Sequence, residues 1–387
     1  MRSSRVLLER ADAAVGRSSL ARTRWKQAPS TPSYLWKRIK DIARYESLEN
    51  IGAVRLNMGK LAITGGMRDK AYGPGETVAY TCFDVVPRFG VLDTIFQNLP
   101  KRSFQPKTML DFGSGPGTAV LAAQNVWGAS LERLTAVEPS LSMWQMSGAL
   151  MKWTGQDGEP PKKLNVAWTR SLPKLLASES NAPHDLVVAS FSLSELQDER
   201  ARELALEVLW EKTADDGILV VVENGDKEGG RIVKHARSCF TDGENSFLAN
   251  SEGYIVAPCP HSRTCPFARE PREGEPRHKT RWCHFLQETE RLVTTISRKG
   301  QGRGATSSVS DYAYFAVSKG SRENDNGDNL SVVMFPPMRK KRRTIIDACT
   351  PGGSLERHTV TKSNPELYRA VRKASWGGRV CFSDARK

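Results

Sequence analysis

The sequence feature that most constrains the fold is a glycine-rich segment, Asp111-Phe112-Gly113-Ser114-Gly115-Pro116-Gly117, which follows a short apolar stretch. Glycines at alternate positions allow a tight turn between a strand and a helix, and they let a ligand approach the backbone where a Cβ would block it. An acidic residue, Glu138, ends the next predicted strand, where a carboxylate can accept hydrogen bonds from the hydroxyls of a ribose. The segment therefore predicts an α/β domain with a site for a nucleoside cofactor.

Alternating strand and helix patterns extend this prediction along the chain. A helix is predicted over Thr118–Trp127, and later apolar strands over Leu134–Val137, Leu186–Ala189 and Ile218–Val222. Because helices connect successive strands, the pattern favours a mainly parallel sheet with helices on both faces. Residues 31–105 have helical periodicity, and the pair of helices predicted near residues 77–99 is interrupted at Pro87.

The spacing of the glycines separates this turn from dinucleotide sites. It is GxGxG, with Thr118 standing where the third glycine of GxGxxG would be. Together with the two acids, the pattern resembles that of class I S-adenosylmethionine-dependent methyltransferases, a Rossmann-like fold. The resemblance implies a cofactor-binding set in which Asp111 steers the ammonium group of the ligand, the turn faces its methionine and ribose, and an acid holds the ribose. That set is Asp111, Gly113, Ser114, Gly115, Gly117 and Glu138. The alternative is a structural turn in an α/β domain that no longer binds ligand.

No catalytic signature accompanies the cofactor motif. The fourth predicted strand continues into Ala189-Ser190-Phe191-Ser192-Leu193-Ser194-Glu195-Leu196, which contains neither an Asn/Asp-Pro-Pro-aromatic loop nor a nucleophilic cysteine. Ser194 and Glu195 are the expected start of the next helix. The catalytic residues stay unknown, and both an active methyltransferase and a binding scaffold remain open.

The charge balance favours a polyanionic partner. The chain has 57 Lys and Arg against 43 Asp and Glu, a formal net charge of +14. Nucleic acid is the simplest partner, and a solvated basic surface is the alternative. The sequence has no apolar run of about 18 residues, so we expect no membrane partner.

The first 30 residues are typical of an organelle leader. Basic residues and serines outnumber the two acids, and no continuous apolar segment follows. We interpret residues 1–30 as a mitochondrial targeting leader; a basic disordered tail is the alternative.

Four of the seven cysteines lie in suggestive settings. Cys259 and Cys265 are each followed by proline, Cys283 lies beside a histidine, and Cys349 begins a turn. Thiolates brought together by the fold can hold tetrahedral zinc or an iron–sulfur cluster. Scattered thiols without a metal are the alternative interpretation. Three histidines are possible substitute ligands: His261, His278 and His284.

These features in this order are similar to the mitochondrial small-ribosomal-subunit methyltransferase-like family, which includes bacterial relatives. The similarity covers about residues 35–378. Its matching segments are Glu76-Thr77-Val78-Ala79-Tyr80, Asp111–Gly117, Val137-Glu138-Pro139-Ser140, Ala257-Pro258-Cys259-Pro260-His261 with Cys265-Pro266, Asp311-Tyr312-Ala313-Tyr314-Phe315-Ala316-Val317 and Ser375-Trp376-Gly377.

The resemblance implies a mitochondrial matrix protein that binds small-subunit rRNA as an assembly factor or a lasting component. Ribosomal proteins and other assembly factors are its implied partners. It also implies a 4Fe–4S cluster on Cys259, Cys265, Cys283 and Cys349, with zinc as the alternative metal and His284 as the replacement if Cys283 is not a ligand. S-adenosylmethionine would be bound, while methyl transfer is doubtful across the family.

A basic run gives the expected RNA contact. Arg339-Lys340-Lys341-Arg342-Arg343 lies between two predicted strands and would form a compact positive surface for phosphates. A solvated or nuclear-localisation run is the alternative. The expected organisation is a leader, a helical subdomain over 31–105, a methyltransferase-like Rossmann domain over 106–230, and an irregular, β-rich, cysteine-containing module over 231–387 that carries the metal cluster and binds RNA.

Overall fold

The computed structural model describes most of the chain: residues 31–45, 51–54, 57–58, 72–99, 104–151, 164–177, 182–241, 247, 253–278, 280–290, 307–320 and 330–382. The predicted leader, residues 1–30, lies outside the described residues. The described residues form two compact units. One, the α/β unit, comprises Lys26–Ala257 and Trp282–Arg322, and the other, the β unit, contains Pro258–Arg281 and Glu323–Lys387.

Helices open the α/β unit. They are α1 (Ser33–Tyr45), α2 (Pro74–Phe83) and α3 (Val85–Gln97). The predicted interruption at Pro87 is wrong, because the break falls at Asp84. Pro87 lies in the first turn of α3, where its missing N–H costs no intrahelical hydrogen bond.

A large sheet follows, with strands in the order β3-β2-β1-β4-β5-β8-β6 and β7 paired with β8. Strands β1 to β5 are parallel, whereas β8 runs antiparallel to β5, β6 and β7. This order, with one antiparallel strand inserted beside β5, is the topology of class I methyltransferases and confirms the predicted fold class. The elements are β1 (Thr108–Phe112), α4 (Thr118–Trp127), β2 (Arg133–Val137), α5 (Leu141–Met151), β3 (Asn165–Thr169), α6 (Leu172–Leu176), β4 (His184–Ser190), α7 (Glu199–Glu211), β5 (Thr213–Asn224), α8 (Lys227–Ser238), β6 (Gly253–Ala257), β7 (Phe285–Glu290) and β8 (Ser307–Lys319).

Burial explains why the central strands are continuous apolar runs in the sequence. Residues Ile218–Val222 of β5 are fully buried, as are Leu186–Ala189 of β4. A central parallel strand is covered on both faces, so it lacks the polar alternation of a half-exposed strand.

The domain boundary expected near residue 230 falls inside this sheet, because the sheet also includes β6, β7 and β8, which follow residue 230 in the chain.

The β unit contains an antiparallel sheet in the order β10-β11-β9-β13, with β12 paired to β11. Helix α9 (Pro365–Lys373) buries Leu367, Tyr368 and Val371 in the same apolar cluster as Ile346 and Val360. The strands are β9 (Leu330–Val333), β10 (Met338–Arg339), β11 (Arg343–Cys349), β12 (Leu355–Thr361) and β13 (Arg379–Cys381). Across the described residues of both units, none of the helices has the length and apolar character needed to span a membrane.

Candidate functional sites

The glycine-rich turn joins β1 to α4 as the sequence predicts. Gly113, Gly115 and Gly117 all have positive φ, at 67°, 53° and 84°, a region that L side chains rarely adopt. The N–H groups of Gly113 and Ser114 donate to the carbonyl oxygen of Val137 at 2.9 and 3.1 Å. These bonds fix the turn against the end of β2, so its position is set by the sheet.

The surroundings of the glycines differ in a way that indicates a ligand cradle. A Cβ on Gly113 would lie 2.4 Å from the Cβ of Ser192, and one on Gly117 would lie 2.1 Å from the Cε of Met151. A Cβ on Gly115 would have nothing within 4 Å. Packing against Ser192 therefore requires a glycine at position 113, the left-handed φ favours one at position 117, and Gly115 borders open space.

Asp111 is buried at the entrance of this turn. Its side chain is 1% exposed, and neither carboxylate oxygen has a hydrogen-bond partner within the described part of the chain. Burial raises its pKa to about 8, and the nearby Glu138 carboxylate adds to the shift. The hydroxyl of Ser114 is also buried without a partner there. A buried carboxyl and a hydroxyl that lack partners fit the cationic ammonium group of S-adenosylmethionine.

Glu138 ties the turn to the following helix. Its Oε2 accepts a hydrogen bond from the N–H of Gly115 at 2.8 Å, and its Oε1 accepts from the N–H of Ser140 at 2.7 Å. Burial raises its pKa to about 7 despite these two bonds. Each carboxylate oxygen keeps lone-pair capacity, so the residue fits the expected ribose contact.

A residue that the sequence reasoning missed, Tyr72, bridges the two sides of the turn. Its backbone oxygen accepts from the Ser140 hydroxyl at 2.6 Å, and its own hydroxyl donates to Glu195 Oε1 at 2.9 Å. Burial raises the pKa of both Tyr72 and Glu195.

The predicted start of the next helix at Ser194 and Glu195 is wrong. These residues belong to a short 3-10 helix, and α7 begins after Asp198, whose side chain caps it by accepting a hydrogen bond from the N–H of Ala201.

The loop after β4 also carries backbone strain. Phe191 has φ of 56°, in the left-handed region, and its ring packs 4.4 Å from the guanidinium carbon of Arg88. Arg88 donates to the Tyr80 hydroxyl at 2.6 Å and stacks on that ring as well. Such strain persists only where the surroundings hold it, and here the rings of Tyr80 and Phe191 pack against the partly buried guanidinium of Arg88.

Glu223, at the end of β5, completes the polar groups on this side. Its two oxygens accept from the N–H and the hydroxyl of Ser194 at 3.1 and 2.9 Å, and burial raises its pKa to about 7. Glu223 and Glu195 are thus both engaged by groups of the chain itself. Both carboxylates therefore help to hold the loop after β4 in place.

Three of the predicted metal ligands lie in the β unit: Cys259, Cys265 and Cys349. Cys349 is buried at the end of β11, and the guanidinium of Arg269 interacts electrostatically with both Cys265 and Cys349. Cys283 belongs to the α/β unit, next to Trp282, whose Nε1 donates to the Gly225 carbonyl at 2.8 Å.

A buried histidine, His261, contacts one of these cysteines, Cys349. His261 is 2% exposed, and its Nε2 lies 3.3 Å from the Sγ of Cys349. Of the other substitute ligands, His278 stacks on Phe335 and pairs with Asp347 at 3.2 Å. Thiols beside an N–H donor and a cation have surroundings that favour thiolates, so these residues fit a thiolate-ligated metal.

The basic run forms the turn between β10 and β11, and all five of its residues are exposed. The N–H of Lys340 donates to the carbonyl of Arg343 at 2.9 Å and closes the turn. Arg339 donates to the carbonyls of Arg372 and Ala374 at 2.9 and 2.7 Å, at the end of α9. Three exposed basic residues on α9 extend the same surface, which we call the basic hairpin surface: Arg369, Arg372 and Lys373.

Basic residues near the cysteines are partly neutralised. Arg269 pairs with both oxygens of Glu275 at 2.8 and 2.7 Å, and Arg281 pairs with Glu270 at 3.2 Å. The Arg269 guanidinium, opposed by partial burial, lowers the pKa of Glu275 to about 2. Arg269 and Arg281 are thus paired with acids, whereas all five basic residues of the run at 339–343 are exposed.

Comparison with known proteins agrees with this geometry. The chain is 28% identical over 315 residues to the human protein named Ribosome assembly protein METTL17, mitochondrial; the match covers 80% of this chain and 63% of that protein. It is 27% identical over 304 residues to Rsm22-cox11 tandem protein 2, mitochondrial, of Schizosaccharomyces pombe, covering 71% of this chain and 38% of that protein. The chain thus spans less than two thirds of either relative.

The family-level match includes both the glycine-rich turn and the four candidate metal ligands. The profile of the family described as Mitochondrial small ribosomal subunit Rsm22 matches residues 74–381, well over half of the chain. The chain therefore belongs to the Rsm22 family.

Proposed function

We propose that this protein is a mitochondrial small-ribosomal-subunit assembly factor or component that binds rRNA through a methyltransferase-like scaffold. Membership of the Rsm22 family and the names of the relatives support the ribosomal role and the mitochondrial location, which we place in the matrix. Small-subunit rRNA, ribosomal proteins and other assembly factors are its proposed partners.

The observation that carries the RNA part of the proposal is the basic hairpin surface. Lys340, Lys341, Arg342 and Arg343 lie at a short turn that is held to α9 by the two bonds of Arg339. Because the backbone of the turn is already fixed, little backbone entropy is lost when its side chains meet a phosphate backbone. We place the RNA contact here, with the basic face of α9 beside it.

We propose that the α/β unit holds S-adenosylmethionine. Asp111 would meet the ammonium group, Gly115 would allow close approach, and Glu138 would bind the ribose. The cofactor supplies an activated methyl group, but in this proposal it serves as a bound ligand that stabilises the cradle. The loop after β4 has neither an Asn/Asp-Pro-Pro-aromatic motif nor a nucleophilic cysteine, which supports a role without methyl transfer.

We propose that Cys259, Cys265, Cys283 and Cys349 hold a 4Fe–4S cluster, with zinc as the alternative metal. The interaction of the Arg269 cation with Cys265 and Cys349, and the contact of His261 with Cys349, support a thiolate-ligated metal at these two residues. Metal binding is coupled to folding where ligands come from irregular segments. Anaerobic purification with iron, sulfide and zinc assays tests the metal assignment. A colourless, zinc-loaded protein would contradict the 4Fe–4S cluster.

The central test is recovery of the protein from mitochondria at low salt, followed by sequencing of the RNA and identification of the proteins that co-purify. We expect small-subunit rRNA and small-subunit proteins. A variant carrying Lys340→Gln, Lys341→Gln and Arg342→Gln should lose the RNA, whereas Lys174→Gln with Lys227→Gln, two exposed changes in the α/β unit, should keep it. Equal RNA recovery from both variants would contradict the proposed surface.

An active rRNA methyltransferase is the second candidate. The observation that favours it is the preserved cradle, with Asp111 buried and Gly115 bordering open space. Methyl incorporation into rRNA that is abolished by Gly115→Asp would establish this function and overturn the scaffold role. Wild-type methylation indistinguishable from that of Gly115→Asp would leave the scaffold as the function.

A further inference from the structure

Helices α7 and α8 of the α/β unit bring together side chains with three kinds of metal donor. Glu199 and Glu203 lie one turn apart on α7, and His235 and Cys239 lie one turn apart at the end of α8. Residues four positions apart share one helix face, and the two helices pack against each other. Two carboxylates therefore face an imidazole and a thiol across the helix pair.

The donor atoms are close enough for one ion. His235 Nε2 lies 3.2 Å from Glu203 Oε1 and 3.6 Å from Glu199 Oε1. One donor atom from each of Glu203, His235 and Cys239 lies within 4.8 Å of the others. Donors around tetrahedral zinc are about 3.3–3.7 Å apart, given metal–donor bonds of about 2.0–2.3 Å. Small side-chain movements would complete the geometry.

We propose that Glu203, His235 and Cys239 form a binding site for a zinc-like divalent cation, with Glu199 as the fourth ligand. This site is separate from the cysteines proposed for the cluster, which lie in other segments of the chain. A mixed set of carboxylate, imidazole and thiolate suits zinc, whereas calcium and magnesium select oxygen donors.

The contacts and exposure of these side chains are compatible with metal binding. Arg231 binds the Oε2 of Glu199 at 2.8 Å, which directs Oε1 toward His235. Cys239 Sγ donates a weak bond to the carbonyl of His235 at 3.6 Å, and a metal would replace this bond. The side chains of His235 and Glu203 are 27% and 31% exposed, so an ion can reach them from solvent. The bound ion would link α7 to α8.

The test is zinc binding by the full chain, purified anaerobically so that the cluster cysteines keep their native metal. Equilibrium dialysis against buffered Zn²⁺ should load the wild type with one additional zinc ion per chain. Cys239→Ser and His235→Asn should each weaken that binding by at least about tenfold, as loss of a ligand does. Glu207→Gln, one turn further along α7 and exposed, is the matched control and should bind as the wild type does.

A second readout reports the thiolate itself. With Co²⁺ as the probe, the wild type should show a sulfur-to-cobalt absorption band that Cys239→Ser lacks. Zinc should also raise the melting temperature of the wild type by several degrees and leave that of Cys239→Ser unchanged. Equal zinc content and identical cobalt spectra in the wild type and in folded Cys239→Ser would overturn the proposal and leave a His–Glu ion pair.

Discussion

The Nε2 of His261 lies 3.3 Å from the Sγ of Cys349, while the N–H of Arg263 donates to the Nδ1 of the same ring at 3.1 Å. Because Nδ1 accepts a bond, the proton of the neutral ring is on Nε2 and donates to the sulfur. Hydrogen bonds to ligand sulfurs are one of the means by which a protein sets the reduction potential of an iron–sulfur cluster.

If the proposed cluster is present, this relationship predicts a shift of its reduction potential without loss of iron. His261→Leu removes a donor that stabilises the extra negative charge of the reduced state, so the potential should become more negative while iron content stays unchanged. His261→Gln, which keeps an N–H at the end of its side chain, should restore part of the difference. A potentiometric titration followed by electron paramagnetic resonance measures both. An unchanged potential in His261→Leu would exclude the His261–sulfur bond as a determinant.

Asp111 predicts a pH dependence of stability. Its pKa is about 8 in the folded protein, above the usual value for Asp, so the unfolded chain gives up this proton at lower pH. Stability without ligand should therefore fall as pH rises from about 4 to 8, and Glu138 and Glu223, both with a pKa of about 7, act in the same direction. Asp111→Asn should raise the free energy of unfolding by about 2 kcal/mol near pH 8, and by less at pH 5. Urea unfolding at both pH values measures this; an equal effect at both would refute the assignment.

The same residue predicts how cofactor binding depends on pH. A cationic ammonium group requires the ionised form of Asp111, so affinity for S-adenosylmethionine should rise by up to about tenfold per unit between pH 6 and 8. Above about pH 8 it should fall, because the α-amino group of the ligand loses its proton. Calorimetric titration should show this profile in the wild type and a flatter rise in Asp111→Asn. An identical rise in the variant would show that Asp111 does not meet the ammonium group.

The basic hairpin surface predicts two different effects from adjacent residues. Lys341→Gln and Arg342→Gln should weaken rRNA binding and reduce the slope of log affinity against log salt by about 0.7–0.9 for each phosphate that the variant no longer neutralises. Arg339→Gln should instead lower the free energy of unfolding by up to about 1 kcal/mol, because the exposed carbonyls of Arg372 and Ala374 exchange their Arg339 donors for water.

Filter binding across a salt series and thermal unfolding separate these effects. A change in the slope for Arg339→Gln, with no change in stability, would contradict the proposed structural role of the two bonds from Arg339 to α9. Arg357→Gln is unsuitable as a control, because Arg357 forms a bidentate pair with the buried Asp347.

Local patterns were enough to predict the cofactor turn. The glycines, Asp111 and Glu138 lie close together in sequence, and α4 begins and ends at the predicted residues. The pairing of Tyr72 with Glu195 joins residues 123 positions apart, so no local pattern could indicate it. The position of β8 between β5 and β6 depends on strand pairing far along the chain, and its apolar run alone does not reveal its neighbours.

The cysteine segment, residues 258–281, is an insertion between two strands of one sheet. Ala257 at its start pairs with Ala316, and Phe285 just after it pairs with Tyr312, so both ends are held by the same strand, β8. Strand pairing therefore already offsets the entropic cost of closing this loop before any ligand binds. A chelated protein should keep these pairings, and the free energy of metal binding is then available for ordering the interior of the loop.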